Sequence, residues 1–401
     1  MSYLKAQVTI GSDIAPNKGA LLDLKEGANT TKGLGMPRVQ LTNLNPTTPT
    51  ELAQSIGGTG SWTLADHTAL AVYNVKANHC ALPEAIYEGL YVFDGGKWEL
   101  LGQPSVAPGV HTFTDSRNGE TYRYREFYYM AGATKISAGE WMLENLRYIP
   151  NNADAGFTGF THSAATITIP YTDKYWCYPW KGNTTYNAAQ AQADWDKRAG
   201  ILYNWPAATN GRTTTGNPLE GQGNPDAAAA IGIQGICPSG WHIPTDEEWN
   251  ELERAIYNNA SLYSQYKDDG SDAFLPTTWQ DNNTLNWETG YVNPSPPFGW
   301  RGSSAKGHGI AMLSECLLPG HGYGTPGGKS LSSVKGGFEA HLAGHGKAGN
   351  VTLYGSGGFI WSASAHGSGD AWLRSFSVGN PQVYRFVTNR HYLYSVRCKK
   401  N

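Results

Sequence analysis

The sequence predicts an α+β protein in two parts, a small β-rich N-terminal domain and a larger α+β domain after it. Three observations carry this. Of 401 residues, 49 are Gly, 14 Trp and 23 Tyr, a mix that suits strands and loops more than a helical bundle. The texture changes at GQPSVAPGVHT, from Gly102, a polar stretch in which Pro104 and Pro108 limit the backbone, so it reads as a linker. Beyond it lies one helix whose start carries every local signal. The boundaries fall at 1–105 and 106–401.

The elements follow in order. ALAVYNV reads as a strand, and YEGLYVFDGGKWELLG as a hairpin turning at Asp94-Gly95-Gly96. A helix is expected within NAAQAQADWDKRAGILYNW. The clearest helix is PTDEEWNELERAIYNN, where Thr245 is a good N-cap and Glu248, at the third position, completes a capping box. Asp246, Glu247 and Glu248 complement the positive end of its dipole. Trp249, Leu252 and Ile256 recur at helical spacing and are assigned to the core. Residues 260–360 read mostly as Gly-, Ser- and Asn-rich loops, for example PGHGYGTPGGKSLSSVKGG.

Rings crowd the final segment. Trp372, Arg374, Phe376 and Val378 alternate with Leu373, Ser375 and Ser377, so the first set is expected to pack and the second to face solvent. Tyr384, Phe386 and Thr388 alternate with Val383, Arg385 and Val387, and neither set is cleanly polar. Such a run is either buried on both sides or exposes an interaction surface.

Composition narrows the function. Charged residues make up 16% and the net charge is -3, with no strongly basic stretch, so nucleic acid is not an expected partner. No segment is long and apolar enough for membrane insertion. MSYLKAQVTIGSDIAP carries no apolar signal run. Abundant Trp and Tyr suit recognition of saccharide or protein, since each ring has an apolar face and a polar edge. The five cysteines, Cys80, Cys177, Cys237, Cys316 and Cys398, show no CxxC spacing, so no zinc site is expected. GxSxG, HExxH and P-loop motifs are absent. His321 and His345, flanked by Gly, read as surface-loop residues. Asp246, Glu247 and Glu248 could form an acidic calcium site, but first-turn acids more often cap a helix. No cofactor or metal is therefore assigned, with calcium the one candidate, unsupported by a motif.

Seven stretches keep a fixed order: TFTDSRNGETYRYREFY, GEWMLENLRY, AGILYNWPAATN, GICPSGWHIPTDEEWNELE, LLPGHGYGTPGG, GGFIWSAS and YSVRCKKN. Together, over about residues 111–400, they resemble the FISUMP domain family of surface proteins. That family is similar to the formylglycine-generating-enzyme branch of the C-type-lectin-like fold. The resemblance implies two helices, a small twisted sheet and long loops that present a variable surface. It also implies chain ends that lie close together, which makes a Cys237–Cys398 disulfide one reading and two reduced buried thiols the other. Catalysis of the formylglycine-generating type needs a pair of nearby C-terminal cysteines. Only Cys398 stands near the end and Cys316 sits alone, so the protein is expected not to be an enzyme.

GALLDLKEGANTTKGLGMPRVQLTNL followed by GLYVFDGGKWELLG resembles the head segment of phage tail-fibre and adhesin proteins. This implies an attachment or oligomerisation region, a homo-oligomer with a trimer favoured, and other virion tail proteins as partners. The expected location is the virion, with a bacterial cell surface or pilus-tip adhesin as the alternative.

Related C-terminal segments are targets of diversity-generating retroelements, which mutate adenines, chiefly in Asn codons. Such codons cannot become Lys, Glu, Gln, Met or Trp. From Trp361 to Val396 there is no Lys, Glu or Met, and Lys returns at Lys399 and Lys400. The resemblance thus implies a variable segment over 361–396 that binds a host receptor, glycan or protein. Its candidate positions are His366, Asp370, Leu373, Ser375, Ser377, Tyr384, Phe386, Val387, Thr388, His391, Tyr392 and Leu393. Trp361, Trp372, Gln382 and Arg397 are expected to be scaffold. The twelve candidates are expected to form one contiguous exposed patch.

Overall fold

The computed structural model describes residues 8–11, 15, 22–24, 26, 31–81, 84–102, 104, 106–154, 156–164, 172–182, 185–212, 233–267, 274, 279, 299–320, 326–367 and 369–401. The chain divides into two compact units, Met1–Pro104 and Ser105–Asn401. Both are sheet-rich with few helices, a mixed α+β class.

In the N-terminal unit, β1 (Val8–Ile10) and β2 (Leu22–Leu24) pair in parallel. A second sheet runs β3 (Arg38–Val39), β4 (Ala71–Asn74), β5 (Gly89–Phe93) and β6 (Trp98–Leu100). The β5–β6 hairpin turns at Asp94, whose carboxylate accepts from the N–H groups of Gly96 and Lys97, both at 2.7 Å. Helix α1 (Pro49–Ser55) starts at an N-cap Thr48 with Pro in its first turn, where a missing N–H costs nothing. Leu52, Val72, Tyr91, Phe93 and Trp98 form the core of this unit, and the Trp98 indole N–H donates to Ser55 Oγ at 2.9 Å.

The C-terminal unit opens with β7 (Val110–Thr114), β8 (Thr121–Ala131) and β9 (Thr134–Met142), an antiparallel meander. A short sheet follows, made of β10 (Phe160–His162), β11 (Lys174–Cys177) and β12 (Leu202–Tyr203). Between its strands lies α2 (Ala188–Ala193), capped by Asn187, and after them α3 (Trp205–Ala208). β13 (Trp241–His242) leads into α4 (Asp246–Asn258) and the single turn α5 (Ala260–Tyr263). The expected capping box between Thr245 and Glu248 is present.

The expected loop-rich region 260–360 is punctuated by short elements. Besides α5, its described residues hold β14 (Gly299–Arg301), α6 (Gly309–Met312), β15 (Ala343–Lys347), β16 (Asn350–Tyr354) and the first part of β17 (Gly357–His366). The strands are legible only through their partners, because Gly and Ser give them no alternation of their own. His345, expected in a surface loop, lies half-buried in β15; His321 lies outside the described residues.

β18 (Asp370–Ser377) and β19 (Val383–Asn389) complete a six-stranded sheet in the order β14-β19-β18-β17-β15-β16. β20 (Lys399–Lys400) joins a five-stranded sheet, β13-β20-β9-β8-β7. Helix α4 packs on β8 and β9 of one sheet and on β17 and β18 of the other. Trp249, Leu252 and Ile256 are fully buried, with Trp249 edge-on to Trp141 at 5.2 Å.

Because β18 is central and covered on both sides, the expectation of an exposed face on it fails. Leu373 is 0% and Ser375 4% exposed, and only Ser377, at the strand end, is half-open. On the other face Trp372, Arg374 and Phe376 are buried, as their alternation predicts.

Candidate receptor-binding face

The inner face of the six-stranded sheet is fixed by charge. Along α4, Asp246, Asn250 and Glu253 recur at i, i+4 and i+7 and form one polar stripe. Opposite them stand Arg301 on β14, Arg374 on β18 and Arg385 on β19. Arg385 Nε donates to Asp246 Oδ2 at 2.9 Å, and Arg374 reaches both Asp246 and Glu253 at 2.5 Å. Arg301 Nε donates to Glu253 Oε2 at 2.7 Å, and its guanidinium also meets Asn250. His308 Nε2 lies 2.9 Å from the same Glu253 oxygen. All of these side chains are buried. Burial pushes the Asp246 carboxyl up, but Arg385 and Arg374 outweigh it and hold it at about 2. Acids read from sequence as dipole complements are therefore structural counter-ions. Asp246 is committed to two guanidiniums, and Glu248 to His242 at 3.0 Å and Lys399 at 2.9 Å, so neither is free for calcium.

The outer face carries rings. Cross-strand register aligns Phe359 on β17, Ser375 on β18, Tyr384 on β19 and Trp300 on β14 in one row. The next row is Trp361, Leu373 and Phe386. Trp300 stacks on Tyr384 at 4.5 Å between ring centres, and Tyr384 on Phe386 at 5.2 Å. Each such contact contributes about 0.5–1.5 kcal/mol beyond area burial. Tyr384 and Phe386 stay half-open, and Trp300 is 40% exposed. Phe359 and Tyr384 flank Ser375 two strand spacings, roughly 10 Å, apart.

The C-terminal run 391–396 lies alongside β17 and β15. The Ser395 N–H donates to the Phe359 carbonyl at 3.0 Å, and the Trp361 N–H donates to the Ser395 carbonyl at 3.1 Å. Tyr394 stacks on Phe359 at 5.1 Å and lies 4.6 Å from Trp361. Leu393 exchanges main-chain hydrogen bonds with Gly346 on β15, both at 2.9 Å. Tyr392 meets His345 at 5.5 Å, with the Lys347 ammonium 4.7 Å above its ring. Burial, with Lys347 nearby, lowers His345 to about 4.

The twelve sequence candidates separate accordingly. Eight are half-buried: His366, Asp370, Ser377, Tyr384, Phe386, Thr388, His391 and Tyr392. Four are buried: Leu373 and Leu393 in the core, Ser375 between Phe359 and Tyr384, and Val387 on the opposite face, paired with Trp372. None is fully exposed, so the expected exposed patch is corrected to a half-open face with a packed floor. Register places Leu373, Ser375, Ser377, Tyr384, Phe386 and Thr388 on one face. His366, Asp370 and His391 sit at the far strand ends, where His366 lies edge-on to Trp372 at 5.8 Å and the Asp370 carbonyl accepts from Arg390.

The expected scaffold residues are held tightly. Trp361 donates its indole N–H to the Tyr203 carbonyl at 2.8 Å, and Gln382 donates to the Gly302 carbonyl at 2.7 Å. Arg397 donates to Asn145 Oδ1 at 2.9 Å and to the Glu339 carbonyl at 2.7 Å. Cys237 and Cys398 are joined as a disulfide with 5.9 Å between their Cα atoms, and Cys177 is a free, buried thiol. Trp300 is the residue that sequence reading missed. It lies some sixty residues before the variable segment, and no local pattern links it to β19.

A second concavity, a cleft of about 1140 Å³, lies beside β7–β9 and the chain end. Among its lining residues Glu248 pairs with Lys399 and Glu140 with Lys400 at 2.8 Å, while Glu247 and Glu251 also line it.

The six-stranded sheet is thus held on one face by ion pairs and carries a half-open row of rings on the other. Residues 134–400 match the Fibrobacter succinogenes major domain, and the chain belongs to that family. Residues 9–119 match a phage tail like trimerisation region. This second match supports a phage tail-associated structural protein, a homotrimer in a tail context, and a virion or extracellular location. No curated protein and no solved structure matches the chain. No described helix is long and apolar enough to cross a membrane.

Proposed function

We propose that this chain is a non-enzymatic receptor-binding protein of a phage tail. Its C-terminal unit is a C-type-lectin-like domain that engages a bacterial surface glycan or protein. The single observation that carries this reading is the Trp300–Tyr384–Phe386 stack, half-open in front and fixed behind by Arg385 and Asp246. Large rings preset by their neighbours lose little conformational entropy on binding and make strong anchors. The eight half-buried candidates, Tyr384 and Phe386 among them, vary through a retroelement beside the fixed Trp300, while Leu373, Ser375, Val387 and Leu393 serve as scaffold.

Labelled full-length protein is incubated with a panel of intact bacterial strains and bound label is counted per cell. Wild type labels a subset of strains. Trp300→Ala and Tyr384→Ala lower the apparent affinity about tenfold or more. Unchanged binding in both variants removes the ring face from the reading. Deep sequencing of the last few hundred bases of the gene across a population tests the diversification. Changes confined to adenines of a nearby template repeat, at the eight codons, are expected. An invariant segment with no repeat overturns the retroelement reading and leaves a fixed ligand site.

A further inference from the structure

The trimerisation match does not stop where the compact units divide. It runs to residue 119, whereas the division falls between Pro104 and Ser105. It therefore takes in the whole of β7 and the turn into β8.

β7 is the outermost strand of its sheet. The phase of its ladder follows from one bond, in which the Asp115 N–H donates to the Glu120 carbonyl at 2.8 Å. In an antiparallel pair, bonded and non-bonded positions alternate. Phe113, opposite Tyr122, and His111, opposite Tyr124, are then bonded to β8. Thr112 and Thr114 are the non-bonded positions, so their main-chain groups point away from the sheet. The Thr114 and Thr121 hydroxyls, 3.0 Å apart, agree with this phase, since side chains approach closest at non-bonded pairs.

Among the described residues no strand pairs with this edge. His111, Thr112 and Thr114 are exposed. The strand, VHTFT, has no Pro and no Lys, and its pairing with β8 runs without a bulge. Sheet edges left open in this way invite another strand, and native proteins usually block them.

We propose that in the trimer a segment of a neighbouring copy of this chain pairs with the outer edge of β7, which extends the trimer interface past residue 104 onto the ring-bearing unit. The proposal rests on the trimer reading. Contacts in a cyclic trimer are heterologous, whereas two identical antiparallel edges pair about a two-fold axis. The covering segment is therefore a different part of the neighbouring chain. Three ring faces would then be held by the assembly rather than swing on linkers, which raises the effective concentration of the second and third binding events.

The experiment uses the full-length wild-type chain. Light scattering gives its mass, and residue-resolved hydrogen–deuterium exchange follows the amides of 110–119. The expected result is a trimer in which the Thr112 and Thr114 amides exchange on the order of 100-fold or more slower than a free peptide. A trimer in which those two amides exchange freely, while His111 and Phe113 stay protected, overturns this inference and leaves the trimer reading intact. A monomer at every concentration overturns both.

Discussion

Under α4, three arginines of the six-stranded sheet meet two carboxylates with no water between them; on the other side of the same strands, three rings stand half-open. Arg385 and Tyr384 are chain neighbours on β19, yet one is 1% exposed and the other reaches solvent. The difference shows how one strand can be fixed and still display. Buried ion pairs contribute little net stability over apolar packing, but they are costly to break, because the surviving charge stays buried. The inner face therefore sets geometry and register, and the outer face is left open to change.

The largest effect should come from breaking the inner face. Asp246→Ala takes the carboxylate from Arg385 and one of the two from Arg374, and is expected to lower stability by about 3–5 kcal/mol, read as the urea midpoint. A loss under about 1 kcal/mol would mean that the guanidiniums find other partners and the inner face is not the lock.

Next is the covalent tie. Cys398→Ser removes a bridge that closes a sequence separation of 161 residues. A loss of about 2–5 kcal/mol is expected, read as the urea midpoint under oxidising conditions.

Acid should separate the two faces by pH. The folded-state pKa values of Asp246 and Glu248 are both depressed to about 2. Their stabilisation is present above the ordinary carboxylate range and is lost as pH falls through it toward 2. His345, near the outer face, is lowered from 6.5 to about 4, so its contribution is lost as pH falls across that window. Buried Glu339, raised from 4.5 to about 7, acts in the opposite sense and costs stability as pH rises. Denaturation midpoints measured from pH 7 to pH 2 should therefore change slope near pH 4. His345→Phe should remove stability loss between pH 6.5 and 4 only. An unchanged profile in that variant would deny the histidine its role.

The smallest effect should come from the outer rings. Trp300→Ala is expected to shift stability by about 1 kcal/mol or less, since the side chain is partly exposed and loses mainly one stacking contact. A larger loss would make the stack core rather than display surface and would erase the contrast between the faces.

Much of this was legible. The Thr245–Glu248 capping box, the Trp249–Leu252–Ile256 stripe and the Asp94 turn all depend on residues within one or two turns of each other, where geometry is set by the chain itself. The alternation of β19 correctly separates Tyr384, Phe386 and Thr388 from Val383, Arg385 and Val387. The same logic misplaces Leu373 and Ser375, because alternation says which residues share a face but not whether that face is covered. Here Leu373 is part of a core cluster that includes Trp361, Tyr203 and Trp205, so its face is covered by packing from elsewhere in the chain. An Arg among the packed residues of β18 was the available sign that an acid must lie opposite. Finding Asp246 and Glu253 required the packing of α4 on the sheet.

By itself, then, the sequence determined the local elements: the helix start, the turns, the side-chain alternation, and the two segments that match known families. Each rests on backbone preference or side-chain spacing over a few residues. Tertiary structure alone decided which alternating face is open, which acids answer which arginines across more than a hundred residues, and that Trp300 joins the row begun by Tyr384. Those outcomes depend on strand order and register, which are settled only when separate parts of the chain bury surface against one another.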